Sequence, residues 1–278
     1  VTRAERRFRG AVREELARRK AGVTDARLVI LDLLRLMQAD VRGVLRRAPS
    51  DFDRAFLPRL LSEVDGAMER WNARVEDAAL GIFEDAARLG PRLVQAPLSA
   101  MGIELGGPLI SEHLLRSAAN WSADKLALGL ADGRAAIEAH IRLGVLGGRS
   151  PHEVMAGISK ELGDDAGPFR KVSLRAEMIM RTETGRIHSM ATQARMDEAA
   201  DLVPDLGKEW QWSGKSRMSH SAVNGQRRKV SEPFDVGGEQ LMHPRDPDGS
   251  AGNTVACGCE SIPYLARWAD TPNKETEE

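Results

Sequence analysis

The chain has 278 residues, a hydrophobic share of 42%, a charged share of 29%, and 40 Lys+Arg against 41 Asp+Glu, for a formal net charge of −1. That balance is ordinary for a globular protein and excludes an overall basic field that would draw the whole molecule onto nucleic acid or an anionic membrane. Aromatics supply only 4%, whereas Ala, Leu, Arg and Glu abound, a usage that favours helices over a β-sandwich.

The opening stretch, "VTRAERRFRGAVREELARRK", is basic and amphipathic without an apolar core or a cleavage site, which reads as a mature cytoplasmic start with no secretion signal. No apolar run reaches the ~18–20 residues that a membrane span needs. Helices are expected up to about residue 200. Ile30, Leu34, Met37, Val41 and Leu45 recur at helical spacing, so one face of this first helix is apolar. The stretch "RRAPSDFD" then breaks the pattern. Leu57, Leu61, Val64, Met68, Trp71, Val75, Ala78 and Ile82 alternate steps of four and three, a heptad seam suited to packing inside a bundle, with Pro58 in the first turn. The Gly and Pro of residues 90–110 read as a linker or irregular crossing. Further helices are expected over 111–143, after Ser150 and Glu153 (a capping box with Pro151), and from Leu174 to Ala200. The last carries a stripe through Ala176, Met180, Ile187, Met190, Ala191 and Ala194, and Glu183 falls on that buried face. A buried carboxylate needs a partner. Arg186 stands at i+3, and Arg217 is the candidate for an ion pair tying the helix to the domain that follows.

After Pro204 the texture changes. "KEWQWSG" alternates, and Asn224-Gly225 sits between two short extended runs, the pattern of a type I′ hairpin. The fold class is therefore mainly α with a small C-terminal α+β domain: a long helical body over 1–170, a compact, loop-rich β-hairpin module over 171–265, and a disordered polar tail over 266–278.

Both cysteines, Cys257 and Cys259, lie in the segment "ACGCE". A disulfide between i and i+2 would close a strained ring with little loop entropy to gain. On a strand, period 2 turns both thiols to one face, an arrangement for a metal, a redox role or a small packing pair. A loop-rich module of about 60 residues often needs a metal to fold, so a zinc site of His220, Cys257, Cys259 and a fourth ligand from His243 or Asp246 is the candidate. His113, His140, His152 and His188 are read as surface or packing residues. Arg227, Arg228 and Lys229 make a small basic patch that could contact DNA or simply guard a strand edge. Neither a P-loop, a strand-linked G-x-G-x-x-G, an H-E-x-x-H nor a deaminase signature is present. The expectation is a protein that is not an enzyme, the alternative being a zinc-dependent nucleic-acid-binding or hydrolytic protein.

The order of "RAEMIMRTETGRIHSMA", "KEWQWSGKSRMSHSAVNGQ" and "PFDVGGEQLMHPRDPDGSAGNTVACGC" resembles the phage Mu protein F-like minor head proteins, the phage head morphogenesis family. The matching positions are Arg181, Thr182, Glu183, Trp210 or Trp212, Arg217, Ser219, His220, Asn224, Gly225, Gly238, Pro244, Asp246, Cys257 and Cys259. Ser216 and Ala256 depart from the family's usual acidic residue and Asn. The resemblance implies a structural minor head protein of a tailed phage, prophage or gene transfer particle. It would act with portal, capsid or scaffold proteins and packaged DNA, inside the virion or at its portal vertex after assembly in the host cytoplasm. Such domains can also be joined to toxic domains; the stretch after Cys259 reads as too short for one.

Overall fold

The computed structural model describes residues 2–47, 56–106, 112–146, 168–214 and 217–268. Four long helices come first: α1 (Arg3–Arg47), α2 (Leu57–Ser99), α3 (Glu112–Leu146) and α4 (Pro168–Ala200). None of the described helices is long and apolar enough to cross a membrane. A small α+β region follows, so the expected mainly-α class with a C-terminal α+β part is what the chain adopts. The breaker over 48–53 and the capping box of Ser150 and Glu153 lie outside the described residues, as does most of the polar tail.

Contacts divide the chain into two compact units, each assembled from separate stretches because the long helices run through both. One unit holds Asp25–Gly81 and Asn120–Met180. The other holds Val1–Thr24, Ile82–Ala119 and Arg181–Glu278. The stretch 171–265 therefore contributes to both, the division falling on α4 after Met180.

The first unit is a helical bundle with an apolar interior. Ile30, Leu34, Met37, Val41 and Leu45 of α1 are all buried, as the spacing predicts. On α2, Leu61, Val64, Met68 and Val75 are buried, while Leu57, Trp71 and Ala78 are half-buried, so the heptad seam packs within the chain. α3 adds Leu126, Leu130, Ile137 and Ile141, and α4 adds Val172 and Ala176. Polar links stay outside this core: Arg134 reaches Asp65 at 2.9 Å and Glu69 at 3.1 Å, and the Trp71 indole donates to Asp40 at 3.1 Å.

The second unit departs from the sequence reading in three places. Residues 90–99 are helix rather than linker, α2 continuing through Pro91 and Pro97. Gly90 is needed there for contact: a Cβ would lie 2.5 Å from the His188 carbonyl oxygen and 2.7 Å from the Ala191 Cβ, so α2 and α4 cross backbone to side chain. The Thr192 hydroxyl donates to the Gly90 carbonyl at 3.0 Å. The helix stops at Gly102, whose φ is +81°, with the Ile103 amide bonding to the Leu98 carbonyl and Gly102 to that of Ser99, a Schellman arrangement.

The expected stripe on α4 is the second departure. Residues 182–189 are buried all round, and Met190 is exposed. The third concerns the hairpin. β1 (Leu206–Gln211) lies between β2 (Arg227–Lys229) and β5 (Glu260–Leu265), all antiparallel, with Glu209 opposite Arg227 and Ile262. Asn224-Gly225 does not close a two-residue turn between β1 and β2. The short helix α5 (Met218–Ala222) intervenes, and Gly225, at φ +77°, returns its amide to the Trp210 carbonyl. The tight hairpin joins β3 (Phe234–Val236) to β4 (Glu239–Leu241) through Gly237-Gly238, at φ +61° and +85°, the two left-handed residues of a type I′ turn.

Candidate metal centre

The thiols do not lie on a strand. Cys257 and Cys259 occupy the loop between the short helix α6 (Ala251–Thr254) and β5. Ala256 enters that loop at φ +54°, a conformation an L-residue adopts only when its surroundings hold it. The Thr182 hydroxyl of α4 supplies the hold by accepting the Ala256 amide at 2.9 Å. Both sulfurs then turn to one point by loop geometry, not by strand alternation.

That point is His220. Its Nδ1 lies 3.4 Å from Cys257 Sγ and 3.5 Å from Cys259 Sγ, and all three residues are buried. The tautomer follows from the neighbours. Asn253 donates its side-chain NH2 to the Val236 carbonyl at 3.2 Å, so its Oδ1 faces His220 Nε2, also at 3.2 Å. Nε2 therefore carries the hydrogen, and Nδ1 presents its lone pair to the two sulfurs. An imidazole oriented through its second nitrogen is the usual supporting arrangement of a metal-ligating histidine. Contact with the Cys259 thiol pushes the Cys257 thiol down to about 4; burial opposes the shift, and the Arg245 charge assists it. The thiolate is the form that binds metal. Trp210 packs edge-on against both His220 and Phe234, with centroids 5.6 and 5.3 Å away, and closes the site in an apolar shell. His220, Cys257 and Cys259 thus form a buried group able to hold a metal ion.

The proposed fourth ligands do not join them. His243 is buried elsewhere, its Nδ1 donating to the Pro244 carbonyl at 3.1 Å. Asp246 accepts the amides of Met242 at 2.7 Å and Asp248 at 3.1 Å, which ties up its carboxylate in the 242–249 turns.

A second buried constellation adjoins the thiol loop. Arg245, fully buried and at φ +64°, donates to the Cys257 carbonyl at 2.8 Å, the Ser189 hydroxyl at 2.7 Å and Glu260 at 2.9 Å. Gly185 makes room for it, since a Cβ there would stand 2.6 Å from Arg245 Nε. Glu260 also pairs with Arg19 of α1 at 2.5 Å and stands 3.5 Å from His188 Nδ1. Burial pushes the Glu260 carboxyl up, but the charges of Arg19 and Arg245 prevail and hold it down to about 2. Burial drives His188 down to about 4, so it is neutral at pH 7. Lys208, also buried, donates to Gln193 at 3.1 Å and the Met242 carbonyl at 2.8 Å; burial lowers it to about 8.

The remaining expected residues fall around this core. Glu183 pairs with Arg186 at 3.3 Å, and Arg186 Nε donates to the Arg245 carbonyl at 3.2 Å, so Arg186 ties α4 to the thiol-bearing region. Arg217, the other expected partner, donates to the Val255 carbonyl at 2.8 Å. Ser219 packs beneath the Gly237 turn, where a Cβ would lie 3.2 Å from its own. Arg181 borders Gly258, and Asn224 accepts the Trp212 amide at 2.9 Å. The basic patch is internally engaged: Arg227 pairs with Glu209 at 2.7 Å, Arg228 donates to the Pro233 carbonyl at 3.2 Å, and Lys229 stands 3.6 Å from Glu232. The sequence reading assigns no role to Arg19, Arg245, Asn253 and Glu260, and His188, read there as a surface or packing residue, is buried beside Glu260. Only the adjacency of Glu260 to Cys259 could have flagged one of them.

No protein-family model matches the chain, and no solved structure matches it. The chain is similar to a curated protein of Enterococcus faecalis named NAD(+)--arginine ADP-ribosyltransferase EFV, with 26% identity over 220 residues. The match takes in 77% of this chain but 44% of that protein, so the chain spans less than half the length of its relative. The expectation of a protein that is not an enzyme is overturned by this match, because a relative across three quarters of the chain bears an enzyme's name.

Proposed function

We propose that the chain is a minor head protein of a phage, prophage or gene transfer particle, whose C-terminal region is a compact module locked by zinc. The observation carrying this reading is convergence: His220, Cys257 and Cys259 meet in one buried group, and Thr182 of α4 holds the loop that bears the thiols, so the stretches that carry the head-morphogenesis resemblance come together. Two thiols and an imidazole with an oriented lone pair fit zinc, which favours N/S ligation. Bound zinc would act as a cross-link between α5 and the 257–259 loop. His220, Cys257 and Cys259 would hold it; Asn253 orients His220, and Thr182 positions the loop. The helical bundle would serve as the docking body for portal, capsid or scaffold proteins.

The reading is tested in particles. Heads assembled without this protein should fail to package or infect, and the purified chain should carry one zinc, lost in Cys257→Ser and in His220→Ala. Normal assembly, packaging and infection without the protein would end the head-morphogenesis reading.

The similarity to a named ADP-ribosyltransferase favours a second reading, transfer of ADP-ribose from NAD+ to arginine. More than half of that relative lies outside the match, so the activity is to be sought in this chain directly. Nicotinamide release from NAD+ in the presence of an arginine acceptor, by the purified chain, decides it. Catalysis with intact assembly, or assembly without catalysis, separates the two readings.

A further inference from the structure

Lys208 of β1 is fully buried, and its ammonium donates to two neutral oxygens, the Met242 carbonyl at 2.8 Å and the side-chain Oε1 of Gln193 at 3.1 Å. The Phe234 ring stands 5.1 Å from Nζ and adds apolar cover. A lysine so placed is costly to keep charged. Burial lowers it to about 8 even though the charges of Asp197, Asp246 and Glu232 oppose the shift.

The Gln193 amide on α4 is held in one orientation. Its Nε2 donates to the Asp197 carboxylate at 2.8 Å and to the Val230 carbonyl at 3.0 Å, so Oε1 is the atom that meets Lys208. Turned over, the amide would set its NH2 against the ammonium and its oxygen against a carboxylate. Asp197 lies one turn farther along α4, at the solvent edge, and its partly buried setting pushes the carboxyl up, against the hydrogen bond from Gln193. An amine, a carboxamide and a carboxyl group therefore stand in line from the interior to the surface.

We propose that Lys208 and Gln193 join in an intramolecular isopeptide bond, with Asp197 carrying the proton. The neutral Lys208 amine attacks Gln193 Cδ; the Nζ–Cδ bond forms and the Cδ–Nε2 bond breaks. Nζ gives up one proton to Asp197, Asp197 passes one to the departing nitrogen, and a single ammonia leaves for solvent. Nothing is oxidised or reduced, and no co-reactant enters. Groups already in contact avoid the entropic cost of encounter. A desolvated lysine is an activated nucleophile, and a positioned carboxyl speeds the proton transfer. The bond would fasten α4 to β1 across a separation of 15 residues. It depends neither on the metal centre nor on the head-protein or transferase readings.

Intact-mass spectrometry of the purified full chain, denatured after incubation at mildly alkaline pH, tests it. The chain should weigh less than its sequence by one ammonia, and digestion should give one branched peptide containing both Gln193 and Lys208. Lys208→Arg and Gln193→Ala, checked for folding by circular dichroism, should keep the full mass; if either fails to fold, the branched peptide of the unaltered chain decides. Asp197→Ala, at an exposed position, should slow formation by about 100-fold or more. Asn224-Gly225 supplies the control, since a succinimide there also expels ammonia: Asn224→Ala should leave the mass loss unchanged. Full mass in the folded, unaltered chain after days of incubation would overturn the proposal. So would a mass loss that persists in folded Lys208→Arg, one that vanishes in Asn224→Ala, or an Asp197→Ala chain that links as fast as the unaltered one.

Discussion

The buried face of α1 in the helical unit and the buried stretch of α4 in the other unit are both helix interiors, yet they are built from opposite materials. Residues 30–45 of α1 bury Ile30, Leu34, Met37, Val41 and Leu45 on one side. Residues 182–189 of α4 bury Thr182, Glu183, Thr184, Arg186, His188 and Ser189 all round. The first is held by non-directional burial of apolar area, which tolerates small shifts. The second is held by directed contacts, each of which must be satisfied or becomes a penalty. The lesson is that α4 is ordered by what it must meet, and α1 by what it must hide.

The largest effect should come from Glu260→Ala, which leaves the buried Arg19 and Arg245 without their shared carboxylate. A loss of about 3–5 kcal/mol in urea unfolding is expected. Its apolar counterpart, Met37→Ala, should cost about 2–5 kcal/mol through an unfilled cavity in a fully buried position. If Glu260→Ala costs less than about 1 kcal/mol, the polar interior is not the directed network described above.

Acid should distinguish the two interiors as well. His188 titrates near 4 in the folded chain, while an unfolded histidine titrates near 6.5. Between those values the unfolded chain binds the extra proton, so stability falls as pH drops from about 6.5 to 4, by about 3 kcal/mol in total. Urea midpoints across that interval should show this decline, and His188→Gln should flatten it.

Gly90→Ala should cost about 1–3 kcal/mol by forcing α2 off the His188 carbonyl. At the small end, Asp32→Ala removes an exposed partner of Arg35 and should shift thermal unfolding by less than about 0.5 kcal/mol.

Reading the sequence located the apolar helices well, because a stripe at period 3.6 is a one-dimensional signal of a three-dimensional face. It also picked out His220, Cys257 and Cys259, since soft ligands are rare in this chain and few residue types can hold a metal. It missed on His243, on the linker over 90–99 and on the hairpin. In each case a local habit was overruled. Proline and glycine usually break helices, but Gly90 is required by a close crossing with α4. Asn-Gly usually turns a hairpin, but Gly237-Gly238 does so here, and an equally readable Gly-Gly pair stood thirteen residues farther on.

What the amino-acid order determined alone was that the chain would be mainly helical, which face of α1 would be apolar, and that two thiols would lie close together. What tertiary structure decided was the direction of those thiols, through a left-handed Ala256 held by Thr182 from a helix 74 residues away, and the company of Glu260, which draws on α1, α4 and a turn at once. The physical reason is range. Hydrophobic patterning is written residue by residue along a helix, whereas a buried charge is stable only where several distant segments bring their partners to the same place.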